Sequence, residues 1–265
     1  MSAGPTRTPM RVLLEAADAV AKVAADAAVA WFKADLAVEA KADGSPVTLA
    51  DRAAETAARA WIEARFPDDG IVGEEFGETR PHAARRWFVD PIDGTKSFVR
   101  GVPLWGSLVG IVEGDTVLAG AVCCPAVDET VVAARGEGAW WNGARCRVST
   151  TASLDLATVL VTDERAYGEA RKRDAWRRLA DAAQIARSWG DCYGYVLVAT
   201  GRADAMIDPK MNPWDAAAVL PVIEEAGGVF TDFTGARTAF GGDVIATNSA
   251  LAAAVRSTMG AGAPQ

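Results

Sequence analysis

Trp87-Phe88-Val89-Asp90-Pro91-Ile92-Asp93-Gly94-Thr95-Lys96-Ser97-Phe98 is the stretch around which the chain is organised. The aromatic and β-branched run Trp87-Phe88-Val89 predicts a buried strand. It stops at a carboxylate, and Pro91, which cannot donate to a sheet ladder, predicts a turn directly after Asp90. Asp93 follows, then Gly94-Thr95, whose backbone can approach a ligand closely. Two acids at a strand mouth can hold a hard divalent cation such as Mg²⁺ through oxygen. The N–H groups of Gly94 and Thr95 suit a phosphate oxygen. Asp-Pro and Asp-Gly are also ordinary turn formers, so this stretch alone leaves a plain turn open.

Three other stretches bear on that choice. Ile71-Val72-Gly73 predicts a short strand that delivers Glu74-Glu75 at its tip. Asn212-Pro213-Trp214-Asp215 predicts a helix start, with Asn212 as N-cap, Pro213 at the first position and Asp215 in the first turn. A carboxylate there is favoured in its ionised form by the helix dipole, which serves a structural role and a metal ligand equally. Thr48 and Asp51 have the spacing of a capping box, opening a helix over residues 48–66. Glu74, Asp90, Asp93 and Asp215 thus come from element ends, where binding sites are assembled, and with a phosphate cradle they point to metal-assisted phosphoryl transfer to water.

Composition narrows the remaining choices. The chain has 265 residues, 50% hydrophobic and 23% charged, enough for a sizeable core, and a formal net charge of −8. That balance, without a long basic run, argues against nucleic acid as partner. No apolar run approaches the about 18 residues of a membrane span. Residues 1–9 read as a flexible tail without a hydrophobic leader, so the expected location is the cytoplasm. Cys123, Cys124, Cys146 and Cys192 lack zinc-site spacing, and Cys123-Cys124 lie in an apolar run as small hydrophobes. The single histidine, His82, lies in a polar loop, so the chemistry falls to carboxylates, hydroxyls and backbone.

Along the chain, residues 10–36 predict an Ala-rich amphipathic helix and residues 39–46 a loop. After Glu75 comes a polar loop, then the central stretch. Residues 104–112, 116–124 and 129–134 predict an antiparallel meander, with Gly136-Glu137-Gly138 and Asn142-Gly143 closing further hairpins and Trp140-Trp141 packing on the sheet. Beyond residue 150 strands (157–162, 184–188, 203–207) alternate with helices (168–183, 190–200), followed by the helix from Asn212, strands near 229–230 and 244–246, and a closing helix from Asn248. A soft boundary is expected there, dividing an α+β part (1–150) from an α/β part (151–265).

Gly73-Glu74-Glu75, Asp90-Pro91-Ile92-Asp93-Gly94-Thr95 with Phe98, and Trp214-Asp215 before Glu225-Ala226-Gly227-Gly228 together resemble the inositol monophosphatase family, in register over residues 10–258. Trp189-Gly190-Asp191-Cys192-Tyr193-Gly194-Tyr195, Asp208-Pro209-Lys210-Met211-Asn212-Pro213-Trp214-Asp215 and Lys96-Ser97-Phe98-Val99-Arg100-Gly101 look most like its histidinol-phosphate phosphatase branch. The resemblance implies an α+β fold, the layered αβαβα sandwich shared with fructose-1,6-bisphosphatase, and a homodimer. It implies two or three Mg²⁺ per site, the first on Glu74, Asp90 and the Ile92 carbonyl, the second on Asp90, Asp93 and Asp215. A metal-activated water, oriented by Thr95 and Asp51, would attack a small phosphate ester bound by Gly94 and Thr95, without a phosphoenzyme; Glu75 is given no ligand bond. Substrate choice would fall to Asp93, Gly190, Asp191, Cys192, Asp208 and Asp215. Histidinol phosphate offers an amine and an imidazole to Asp191 and Asp208, and a ring on which Tyr193 could stack. Where the family typically has Glu, this chain has the shorter Asp208.

Two rivals remain open from sequence. A haloacid-dehalogenase-type phosphatase uses an Asp-x-Asp nucleophile near its N-terminus, whereas here two residues separate the acids in mid-chain. A catalytically idle metal- or partner-binding protein is the alternative of another class. Within the family, inositol monophosphate, a nucleotide 3′-phosphate and fructose bisphosphate are the competing substrates.

Overall fold

A computed structural model describes residues 8–34, 39–40 and 46–262. The tail expected over residues 1–9 therefore lies outside the described residues except for Thr8 and Pro9, as does most of the loop expected over 39–46. Helix α1 spans Met10–Val29 and ends earlier than expected, the chain passing into turns at residues 30–33. Strands β1 (Glu39–Ala40) and β2 (Pro46–Val47) pair in a two-residue bridge where a loop was expected. Helix α2 (Leu49–Arg65) starts at Thr48, whose N–H donates to Asp51 Oδ2 at 2.7 Å while its own Oγ1 accepts from Ala50 N at 3.1 Å, so the capping box forms.

Strand β3 (Gly70–Gly73) is followed by β4 (Gly77–Thr79), a short edge strand inside the expected polar loop. Strand β5 (Arg85–Asp93) corrects the central expectation, since it continues through Pro91 instead of stopping at Asp90. Pairing with β6 (Gly106–Glu113) is irregular between Asp90 and Asp93, so Pro91 sits in a bulge where no ladder N–H is required. The Pro91 carbonyl there accepts from Ser107 Oγ at 2.6 Å. Between β5 and β6, Gly94 at φ 85° starts the four-residue helix α3 (Thr95–Phe98). The meander continues through β7 (Thr116–Cys124), β8 (Glu129–Ala134), β9 (Gly138–Trp141) and β10 (Ala144–Arg145), closing an eight-stranded sheet of order β10-β9-β8-β7-β6-β5-β3-β4.

Next come β11 (Thr158–Leu160), α4 (Ala170–Ala182), β12 (Ile185–Arg187), α5 (Cys192–Ala199), β13 (Ala205–Asp208), α6 (Pro213–Glu225), β14 (Gly228–Thr231), β15 (Val244–Asn248) and α7 (Ala252–Met259). Their strands form a second sheet of order β12-β11-β13-β15-β14, parallel among the first three and antiparallel thereafter. Strand β13 runs one residue further than expected, into Asp208. The closing helix begins at Ala252, after Asn248 has ended β15 and accepted from Leu251 N at 2.8 Å.

Side-chain parity along the strands then fixes the layers. Successive residues of a strand face opposite sides. Ile71, Trp87, Val89, Val109 and Ile111 pack with the Ala-rich faces of α1 and α2, whereas Val72, Phe88, Leu108 and Val122 face the other way, onto α5 and α6. The second sheet repeats the arrangement: Leu160, Met206 and Phe230 join the α5/α6 core, and Val159, Ala205, Ile207 and Ile245 pack under α4 and α7. The order helix, sheet, helix, sheet, helix is the expected αβαβα sandwich. Fully buried Trp87 keeps its one polar atom satisfied, Nε1 donating to Asp69 Oδ2 at 2.7 Å, and Arg85 Nε donates to the same oxygen at 2.7 Å.

Helix α6 lies close on the first sheet because Gly110 and Gly120 present no side chain to it. A Cβ built on Gly110 would overlap the Ala217 backbone, and one on Gly120 would overlap the Ala218 carbonyl oxygen. Gly120→Ala is therefore expected to cost about 2 kcal/mol, in the range for overpacking. The check is a lowered urea midpoint at unchanged slope; an unmoved midpoint would contradict the close packing.

Candidate active site

The same parity that builds the core delivers the acids. On β5, Phe88 faces the central helices and Asp90 follows it on that side; on β3, Val72 does so and Glu74 lies two residues on. Asp93 is three residues beyond Asp90 and would face away on a regular strand. The bulge at Pro91-Ile92 absorbs the difference, turning Ile92 into the outer core and Asp93 toward Asp90. Asp215, in the first turn of α6, completes the set. Carboxylate oxygens of Asp90, Asp93 and Asp215 all lie within 4.8 Å of one another.

These groups are electrostatically unhappy together. Burial holds the Asp90 carboxyl well above the ordinary carboxylate range, and the charges of Glu74, Asp215 and Asp93 push it further. Asp93 is raised by burial and by Asp191; Asp215 is raised to about 7, chiefly by burial, with Glu74 adding to it. Asp215 Oδ2 accepts from Asn212 N at 3.2 Å, but its buried Oδ1 has no hydrogen-bond donor. Converging acids and an orphaned carboxylate oxygen are the chemistry that a hard divalent cation satisfies, and Mg²⁺ fits this donor set.

The other expected residues are placed around this cluster. Asp51 is buried on α2; its Oδ2 accepts from the Thr48 N–H and hydroxyl, both at 2.7 Å, while its Oδ1 lies 3.5 Å from Thr95 Oγ1. The Thr95 hydroxyl also lies 3.0 Å from the Ile92 carbonyl oxygen. Capping and contact with Thr95 thus coexist in one carboxylate. Gly94 lacks room for a side chain, since a Cβ there would come 2.9 Å from the Leu104 oxygen and 3.1 Å from Asp191 Oδ2.

Asp93 and Asp215 also line a cleft of about 180 Å³, which shares Lys96, Thr162, Asp163 and Asp191 with a wider one of about 710 Å³. The cleft opens where the tips of β11 and β13 meet the starts of α5 and α6. Asp191, at φ 49° before α5, lies with Oδ2 3.5 Å from Ser97 Oγ; burial and Asp208 raise it to about 6. Gly190 lines the wider cleft and has no room for a side chain, since a Cβ there would overlap Thr162. The Cys192 side chain turns into the core, Sγ 3.9 Å from Cys124 Sγ, and it is the Cys192 N–H that reaches the site by donating to Asp93 Oδ2. Asp208 is buried with both oxygens engaged, Oδ1 by Thr162 N at 3.2 Å and Oδ2 by Tyr195 OH at 2.8 Å.

Tyr193 corrects an expectation. Its hydroxyl donates to Glu129 Oε1 at 3.0 Å and the Arg202 guanidinium lies over its ring, so it packs away from the cleft and does not form a stacking face there. Tyr195, two residues on and one helical face round, lines the narrower cleft. Thr162 and Tyr195 were missed by sequence reading; Thr162 ends the strand expected over 157–162, the signal that identified Glu74 and Asp90, whereas nothing in the sequence separates Tyr195 from Tyr193.

A sequence profile of the inositol monophosphatase family matches residues 9–261. The chain is 42% identical over 245 residues to a histidinol-phosphatase of Chlorobaculum parvum, covering 91% of this chain and 93% of that protein. It is 40% identical over 233 residues to a histidinol-phosphatase of Mycobacterium tuberculosis, covering 86% and 90%. Among solved structures, an inositol monophosphatase from Zymomonas mobilis superposes with a TM-score of 0.85 at 33% identity, over 96% of this chain and 100% of that one.

The acid cluster makes metal-free stability fall with rising pH. Asp215 titrates at about 7 folded against an ordinary value of 3.8, so between these values the folded chain holds more protons than the unfolded one and loses stability as pH rises. In EDTA, the Tm contribution of this site is expected to decline from about pH 4 to about pH 7. Asp215→Asn should flatten that decline, read by thermal unfolding of both proteins across the window; parallel profiles would contradict it.

Proposed function

The chain belongs to the inositol monophosphatase family and is a phosphatase, and from that premise we propose that it hydrolyses histidinol phosphate to histidinol by direct attack of water. Enzymes of this family are metal-dependent, using Mg²⁺. The observation that carries the reading is the convergence of Asp90 with Asp93 and Asp215, two acids that line a cleft together with Asp191.

Two or three Mg²⁺ would be held by Glu74, Asp90, Asp93, Asp215 and the Ile92 carbonyl. When bound, they supply charge neutralisation for the phosphoryl oxygens and a lowered pKa for water. Backbone N–H groups of Gly94 and Thr95 would bind the remaining phosphate oxygen. Thr95 Oγ1 lies between the Ile92 carbonyl and Asp51, so it has acceptors for its hydrogen and lone pairs for the attacking water. Asp51, steadied by two bonds from Thr48, takes the proton demand through Thr95. The Cys192 N–H holds Asp93 in orientation from the α5 side.

Substrate selection then divides between two acids. Asp208 spends both oxygens on Thr162 and Tyr195 and shapes the cleft wall. Asp191, held by side-chain contact with Ser97 only loosely, is the acid we assign to the cationic amine or imidazole of the substrate. The names carried by the relatives at 42% and 40% identity support the same ester. A cytoplasmic homodimer, with a boundary near residue 150, completes the proposal; no helix among the described residues is long and apolar enough to cross a membrane.

Side-by-side kcat/KM values on histidinol phosphate and inositol 1-phosphate test the substrate, with preference for histidinol phosphate expected. A preference for the inositol ester would overturn that choice and leave the family unchanged. Asp191→Asn is expected to raise KM for histidinol phosphate about tenfold, the scale of a lost hydrogen bond to a charged group, while KM for inositol 1-phosphate moves far less. Equal rises for both esters would remove Asp191 from selection.

A further inference from the structure

Helix α2 presents two buried acids on one face, one turn apart: Asp51, already placed beside Thr95, and Glu55, which is fully buried. Glu55 Oε2 accepts from the backbone N–H of Glu75 at 2.7 Å, and Oε1 accepts from Phe76 N at 3.2 Å. Both donors belong to the turn immediately after Glu74. Arg59, one turn further along α2, extends the clamp: its Nε donates to Glu55 Oε1 at 2.7 Å, Nη1 to Thr79 Oγ1 at 2.7 Å, and Nη2 to the Gly77 carbonyl. Gly73 admits the arrangement, because a Cβ there would overlap the Glu55 carboxylate. On its other side the turn is anchored once more, Glu74 N donating to Val89 O at 3.1 Å.

A buried carboxylate that receives two backbone N–H bonds and a guanidinium contact is fully engaged and resists displacement. Its partners fix the backbone on the C-terminal side of Glu74, while β5 fixes the N–H of Glu74 itself. Chain direction at Glu74 is thereby set by a side chain that does not belong to the acid cluster. Asp51, four residues earlier on α2, serves Thr48 and Thr95.

We propose that Glu55, with Arg59, is a positioning residue that holds the Glu74 turn in its metal-binding conformation, so that one face of α2 organises both the Thr95 side and the Glu74 side of the site. This inference rests on the reading of Glu74 as a ligand. It places Glu55 outside the set that touches metal or substrate; its influence passes through the backbone of residues 74–76.

Mn²⁺ binding, followed by the loss of the free-ion signal in electron paramagnetic resonance on titrating the full chain, tests this without reference to turnover. Glu55→Gln keeps the size of the side chain but replaces one accepting oxygen by a donor that faces N–H groups. Its Mn²⁺ affinity is expected to fall tenfold or more, the usual scale for residues supporting a ligand, with KM for the phosphate ester unchanged once Mn²⁺ saturates. Gly73→Ala, which pushes the carboxylate aside, should weaken Mn²⁺ in the same way. Asp69→Asn, which breaks the buried Asp69–Arg85–Trp87 cluster at the opposite end of β3, should lower Tm yet leave Mn²⁺ affinity as in the wild type. Wild-type Mn²⁺ affinity in Glu55→Gln alongside a loss in Glu74→Gln would overturn the positioning role alone. Wild-type affinity in Glu74→Gln would overturn the ligand reading on which it rests. Equal loss in Asp69→Asn would reduce the effect to general destabilisation and overturn the positioning role.

Discussion

Three carboxylates with oxygens within 4.8 Å of one another, Asp90 buried and Asp93 and Asp215 half-buried, are the constraint on which this structure turns. Like charges in a low-dielectric setting repel strongly, and protonation or a bound cation is the way to relieve them. Burial raises Asp90, Asp93 and Asp215 alike, and Asp215 Oδ1 is buried without a donor. A fold that keeps such a cluster does so against its own stability, which is the expected signature of a site built for a ligand. Asp208 and Glu55 provide the contrast: buried acids whose oxygens are engaged by N–H, O–H or guanidinium groups, and which therefore serve as scaffold.

Layering explains why the acids meet. The central helices α5 and α6 lie between two sheets, and every element that reaches the site brings an end to that middle layer. Strands β3 and β5 bring Glu74 and Asp90, β11 and β13 bring Thr162 and Asp208, and the starts of α5 and α6 bring Asp191 and Asp215. Gly110 and Gly120 let α6 settle against the first sheet, which sets how far Asp215 stands from β5. The α2 face then supports the rim from outside, with Asp51 under Thr95 and Glu55 under the turn after Glu74.

Much of this was legible in the sequence, for identifiable reasons. The short apolar runs over residues 71–73 and 87–89 gave both strands and the acids at their tips, and the Asn212-Pro213 start fixed Asp215 in a first turn; the side on which those acids emerge came only with the fold. The boundaries that moved did so where local rules were overridden. Pro91 ends strands in isolation, yet a bulge lets β5 run on to Asp93, and it is the bulge that brings Asp93 round to Asp90. Tyr193 and Tyr195 are indistinguishable by pattern; only the orientation of α5 sends one to Glu129 and the other to Asp208. Glu55 looked like any charged residue in an amphipathic helix, because its partners are backbone N–H groups about twenty residues away and leave no trace in side-chain pattern.

Anomalous scattering from crystals of this chain grown with Mn²⁺ addresses the central claim most directly. The account predicts strong peaks in the space bounded by Asp90, Asp93 and Asp215, beside Glu74 and within reach of Gly94 and Thr95. An acid cluster devoid of anomalous density, with Mn²⁺ ordered only elsewhere on the surface, would contradict it.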